Sequence, residues 1–139
     1  MIQRLAIALC ALVLVASSCS QTAETVPPDV QLTVTLKDYS VVLSSPTVKA
    51  GTVKIGVQNS GAMAHEFDLI KTDLAADKLP VDGSSGKAKE DGLTKQVLNI
   101  GVGKVAVLTA DLAAGHYVII CNVSGHYQLG MRADLTVQP

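Results

Sequence analysis

At 139 residues the chain has room for one domain with a real core and too few residues for two ordinary ones. Its formal net charge is −1, with no basic cluster and no aromatic ladder, so nothing in it is built for nucleic acid. The hydrophobic fraction of 48% is raised by the first residues, and no internal repeat divides the rest.

Met1-Ile-Gln-Arg4 leads into an apolar run from Leu5 to Ala16. The run is too short to cross a bilayer, with a basic residue before it and small residues after it, and so reads as a secretory signal peptide over residues 1–18. The mature protein is then expected outside the cytoplasm, facing the periplasm or the cell exterior. Val15-Ala16-Ser17-Ser18-Cys19 resembles a bacterial lipobox, which implies that Cys19 becomes a lipidated first residue and anchors the protein to the membrane. Ala16 stands where Leu is commoner, and the alternative is cleavage by an ordinary signal peptidase with Cys19 incidental. In the lipidated reading residues 19–29, with their Gln, Thr, Glu and Pro27-Pro28, form the N-terminus and a solvated, flexible tether. Loss of residues 1–18 removes Arg4, leaving ten Lys plus Arg against twelve Asp plus Glu, a net charge of −2.

Alternation of Val30, Leu32, Val34 and Leu36 with Gln31, Thr33 and Thr35 is the two-residue period of a half-buried strand. Lys37-Asp38 turns into a second strand over Tyr39 to Leu43, which Ser44-Ser45-Pro46 ends. Ala50-Gly51 makes a tight turn into Val53 to Asn59, where Val53, Ile55 and Val57 share a face, and these first strands read as an antiparallel meander. Asn59-Ser60-Gly61 opens a loop before His65 begins a strand over Glu66 to Thr72, with His65, Phe67 and Leu69 on the core-facing row. A lone His on such a row is ordinarily structural and becomes a ligand only in company. Between Lys71 and Leu93, Asp73 to Leu79 is expected to form about two helical turns ended by Pro80, and Val81 to Gly92 a polar, solvated connection.

Strand character returns at Thr94 to Ile100 and at Val105 to Leu112. Asp111 to Tyr117 resembles the tyrosine corner of Greek-key sandwiches, which implies that the Tyr117 hydroxyl bonds back to backbone just upstream. Tyr117, Ile119 and Cys121 then share a core-facing row, whereas His116 has the opposite parity, reads as exposed and is not a ligand. Arg132 to Val137 alternates again. About eight short strands with regularly spaced turns define an all-β antiparallel sandwich or barrel, with one variable loop and short helix inserted.

Of the three cysteines, Cys10 lies in the signal and Cys19 at its processing site, so Cys121 has no partner for an intrachain disulfide. A lone thiol in an oxidising compartment is either a metal ligand or a small buried apolar residue. Cys121-Asn-Val-Ser-Gly-His126-Tyr-Gln-Leu-Gly-Met131 favours the metal, because it places a thiolate, an imidazole and a thioether within eleven residues, a donor set suited to copper. One more histidine, with His65 the candidate, completes a His2Cys site with a weak axial Met. Gly125 and Gly130 each precede a ligand and free the backbone to aim it.

The C-x4-H-x4-M spacing, preceded by Ala114-Gly115-His116-Tyr117 and an apolar strand, resembles the C-terminal copper loop of the cupredoxins. Asn59 to Phe67 resembles the segment bearing that family's first ligand, and the likeness, nearest in spacing to auracyanin and rusticyanin, spans Val30 to Val137. Residues 30–139 therefore read as one cupredoxin domain. The resemblance implies a Greek-key β-sandwich holding one type 1 copper ion, with His65, Cys121 and His126 as strong trigonal ligands and Met131 as the axial one. It also implies an apolar patch beside His126, here Ala62, Met63, Ala64 and Leu129, touching redox partners such as cytochromes or membrane oxidoreductases in transient encounters. Met63 suits ordinary packing equally well. Ser124 stands where many relatives have Pro, which implies a looser loop with a hydroxyl near the site.

The function that follows is one-electron transfer through Cu(I) and Cu(II), outside the cytoplasm. Copper enzymes that contain this fold need additional histidines; with three in total and His116 external, one chain cannot build a second copper site, and no enzymatic role is expected. A Cys-His hydrolase lacks an evident orienting Asp or Asn. The alternative is a copper-binding protein for storage, resistance or delivery, against which stands the absence of any Met-rich segment beyond Met1, Met63 and Met131. A metal-free interaction domain ranks third.

Overall fold

The computed structural model describes residues 24–139; the expected signal peptide and the lipobox cysteine Cys19 lie outside the described residues. In chain order the elements are β1 (Leu32–Lys37), β2 (Ser40–Leu43), β3 (Thr47–Lys49), β4 (Gly51–Asn59), β5 (His65–Lys71), β6 (Val81–Asp82), β7 (Lys87–Ala88), β8 (Leu93–Ile100), β9 (Val105–Leu112), β10 (Gly115–Ile120), α1 (His126–Leu129) and β11 (Arg132–Gln138). The period-two rows become the inner faces of two sheets, ordered β2-β1-β4-β9 and β3-β11-β10-β5-β8. Between them Leu32, Val34 and Leu36 meet Ile55, Val57, Phe67, Leu69, Tyr117, Ile119 and Leu135 in one buried core. Each such side chain contributes about 1.5–3 kcal/mol by leaving water. The Tyr117 hydroxyl donates to the Ala113 carbonyl at 3.1 Å, the tyrosine corner expected from the sequence.

Three local expectations are corrected. The opening strands are not an antiparallel meander: β1 lies parallel to β4, with Leu36 opposite Asn59, and β3 leaves for the other sheet to run parallel to β11. Alternation reports which face is buried, not which strand is the neighbour, so this crossover carried no local signal. Asp73 to Leu79 forms bends and a turn, not a helix. Its backbone is bonded to side chains instead: Asp134 accepts the Ala76 N–H at 2.8 Å, and Tyr127 Oη accepts the Leu79 N–H at 2.9 Å.

The third correction concerns the connection from residue 72 to 92, which is packed rather than merely solvated. β6 and β7 pair as a small ribbon, and Ala76, Leu79 and Ala88 form a second buried cluster with Ile70, Val118, Ile120 and Tyr127. Ile70, Val118 and Ile120 are the outward row of β5 and β10, so the larger sheet is covered on both faces. The charged residues of the connection concealed the three apolar ones that hold it down. Residues 24–29, composed like a tether, also lie against the body: the Glu24 carboxylate accepts from Lys104 Nζ at 2.8 Å and from the Val105 N–H at 2.9 Å, and Lys54 Nζ donates to Asp29 at 2.5 Å.

Candidate metal centre

β5 and β10 are neighbours, paired antiparallel from Tyr117–Lys71 to Ile120–Asp68, so the residue after β10, Cys121, arrives beside the start of β5 at His65. A bulge adjusts this approach. Between the pairs His65–Ile100 and Phe67–Val97, β8 carries one residue more than β5, and Asn99 within it takes a left-handed φ of 53°. The β5–β10 ladder ends at Ile120, and the Glu66 N–H donates to Cys121 Sγ at 3.2 Å.

The loop from Cys121 to Met131 closes on itself. The Cys121 N–H donates to the Met131 carbonyl and the Met131 N–H to the His126 carbonyl, both at 3.1 Å. Gly125 at φ 81° and Gly130 at φ 121° flank α1, backbone states that a side chain would strain, and they turn His126 inward. The helix itself was not legible in the sequence, since four residues carry no periodicity.

The outcome is a triangle of donor atoms. His65 Nδ1 lies 3.6 Å from Cys121 Sγ, His126 Nδ1 lies 3.4 Å from the same sulfur, and the two nitrogens are 3.3 Å apart. All three residues are buried. A triangle of that size has its centre about 2 Å from each corner, the length of metal–imidazole and metal–thiolate bonds. Two imidazoles and one thiol fit copper. Met131 is fully buried in the same core cluster as Cys121.

Burial governs the protonation of the metal-free site. It pushes the Cys121 thiol up, against the pull of the Glu66 and Val123 amides, and with the neighbouring His65 ring it holds His126 below the usual histidine range. A metal entering this site displaces the thiol proton.

The turn between β1 and β2 supplies two residues that sequence reasoning missed. Asp38 Oδ1 lies 2.6 Å from His65 Nε2, and Asp38 Oδ2 accepts the Ala62 N–H at 2.7 Å. That amide first, and His65 after it, hold the Asp38 carboxyl below the usual carboxylate range. Tyr39 stands edge-on to the His126 ring with centroids 5.1 Å apart, and its hydroxyl points at Met63 Sδ at 3.9 Å. His126 is consequently 6% exposed while Tyr39 is 38% exposed. Only the turn's position in space marks these residues, because nothing in their local sequence does.

Ala62, Met63, Ala64 and Leu129 are all exposed, and Met63 at 39% is a surface residue rather than a packing one. Asn59, fully buried, braces the loop that carries three of them: its Nδ2 donates to the Met63 and Ile100 carbonyls at 2.7 and 2.8 Å. His116 is engaged elsewhere, its Nδ1 2.7 Å from the Thr72 carbonyl oxygen and its Nε2 2.9 Å from Asp134 Oδ1. Ser124 does not leave the loop loose, because its hydroxyl donates to the Ser85 carbonyl at 2.6 Å and ties the loop down. Asn122 ties it to the same ribbon, exchanging bonds of 2.8 and 3.0 Å with the Ala88 backbone.

A two-sheet Greek-key sandwich that gathers His, Cys and His at one end, with a buried Met closing the loop, defines the cupredoxin class of single-copper proteins. Within that class the chain belongs to the sulfocyanin (SoxE) domain family, whose model matches residues 40–139. Among solved structures it is similar to reduced auracyanin from Roseiflexus castenholzii, at 20% identity over 77% of this chain and 95% of that one, TM-score 0.58. It is similar also to rusticyanin from Thiobacillus ferrooxidans, at 19% identity over 77% and 75%, TM-score 0.57. An azurin from Methylomonas sp. strain J shares 18% identity over 77% and 96%, TM-score 0.51. These likenesses are of fold. A sequence search of curated proteins found no match.

Proposed function

We propose that this protein is an extracytoplasmic type 1 (blue) copper protein that carries single electrons between redox partners. The observation that supports it most is the buried triangle of His65, Cys121 and His126 held between a paired strand start, a strand end and a self-bonded loop. Copper bound there supplies a one-electron Cu(I)/Cu(II) couple. His65, Cys121 and His126 would hold it, with Met131 as a further, weaker ligand. The chain's work is to keep those donors in one geometry for both oxidation states and to keep water out, so that little rearrangement opposes transfer. The Glu66 N–H on the cysteine sulfur withdraws electron density and is one determinant of the potential.

Copper delivery is the weaker reading, because a receiving protein would need to reach donors, and His65, Cys121 and Met131 have no exposed surface. Partners are expected to dock briefly on Tyr39, Ala62, Met63, Ala64 and Leu129, the exposed rim beside His126. Among the described residues no helix is long and apolar enough to cross a membrane. Attachment is proposed through a lipid on Cys19 after removal of residues 1–18.

The test is the absorption and electron paramagnetic resonance spectrum of the domain from Ser20 onward loaded with Cu(II), beside Cys121→Ser. An intense blue or green thiolate-to-copper band with narrow hyperfine splitting, lost in the variant, is expected. A colourless protein with ordinary tetragonal copper signals unchanged by the substitution would overturn the reading.

A further inference from the structure

We propose that Asp38 is a positioning residue for His65 and that its charge lowers the reduction potential of the copper couple. This rests on the copper reading of the site. His65 Nδ1 is turned toward Cys121 and His126, so its other ring nitrogen faces away, and Asp38 Oδ1 meets it at 2.6 Å. A carboxylate there accepts a hydrogen bond from Nε2–H and so keeps the proton on Nε2, which leaves the Nδ1 lone pair for the metal and fixes the ring's orientation. Asp38 is itself held: its second oxygen accepts the Ala62 N–H at 2.7 Å.

The chain also keeps space clear for this bond. A Cβ on Gly61 would collide with Asp38 Oδ1 and would come to 2.7 Å from His65 Nε2, so any larger residue there would push the pair aside. The bond is shielded, with the His65 side chain fully buried and that of Asp38 22% exposed, and a charge so placed is weakly screened by salt. A negative charge shared with the imidazole strengthens it as a donor and favours the more highly charged oxidised metal.

Three variants separate the parts. Asp38→Asn keeps an oxygen that can accept from Nε2 but removes the charge; Asp38→Ala removes both; Gly61→Ala presses the pair apart. In the copper-loaded Ser20-onward domain, Asp38→Asn is expected to retain the thiolate-to-copper band while the Cu(II)-over-Cu(I) affinity ratio falls about tenfold, an upward potential shift of about 59 mV for one electron. Asp38→Ala and Gly61→Ala should shift it in the same direction, and Asp38→Ala should weaken Cu(II) binding by about 10- to 100-fold in chelator competition. In the metal-free domain, nitrogen-15 NMR should find the His65 proton on Nε2 and find that preference lost in Asp38→Ala. Potentials unchanged in Asp38→Asn and Asp38→Ala, with the tautomer unmoved, would overturn the proposal. A wild type with no thiolate-to-copper band would instead sink the copper reading and the potential effect with it; the tautomer measurement would then decide the positioning role alone.

Discussion

Asp68 is the residue most at odds with its surroundings. It is fully buried, and among the described residues neither carboxylate oxygen has a partner within strict hydrogen-bond geometry. Burial pushes its pKa from 3.8 to about 7; Glu90 and Glu66 add to the rise, while Gln96 and Lys87 oppose it. The folded state therefore holds this proton more tightly than the unfolded chain. Its contribution to stability is fully present below pH 3.8 and is lost as the pH rises to about 7. The full difference is roughly 4 kcal/mol at most. Asp68→Asn is expected to match wild type near the acid end of that window and to be more stable above it, by urea unfolding of the metal-free domain; equal stabilities at pH 8 would refute this. Tyr117→Phe tests the tyrosine corner: loss of the bond to Ala113 should cost about 0.5–1.5 kcal/mol without altering the copper spectrum.

At the scale of elements, the connection between β5 and β8 acts as a brace for the copper loop. Tyr127 is the link, since its hydroxyl donates to the Ala76 carbonyl at 2.8 Å and accepts the Leu79 N–H at 2.9 Å. Tyr127→Phe would leave both buried backbone groups without that partner, a cost of about 1–3 kcal/mol. Faster hydrogen exchange at Leu79 and through α1, with Tyr117 and its neighbours in β10 unchanged, is the expected signature. The Ser124 hydroxyl and Asn122 amide make the same attachment, so the loop's firmness comes from side-chain bonds and not from a proline.

At the scale of the molecule, the site lies where both sheets end, so loading it should stabilise the whole sandwich. With free copper at about a thousand times the dissociation constant, mass action contributes about 4 kcal/mol. Calorimetry should therefore show a higher melting temperature with copper, reversed by a chelator and much reduced in Cys121→Ser. Identical melting with and without metal would contradict a single buried site. Copper uptake should also release a proton, because burial keeps the Cys121 thiol protonated until a metal displaces it.

What the sequence determined by itself was whatever is encoded locally. Alternation marked the buried rows of β1 and β4, residue parity those of β5 and β10, and the spacing from Cys121 through His126 to Met131, with a glycine before each later ligand, marked the metal loop. His65 was legible only by company and by its place on the same row as Phe67. What tertiary structure decided was everything that depends on which strand lies beside which. Parallel pairing of β1 with β4 brings the ends of both strands to one edge, where Asp38 meets Gly61, Ala62 and His65 across 27 residues of chain. A turn read alone shows only that it is polar; the charge on a ligand, the tyrosine beside the other, and the covered outer face of β5 and β10 exist because of packing between segments distant in sequence.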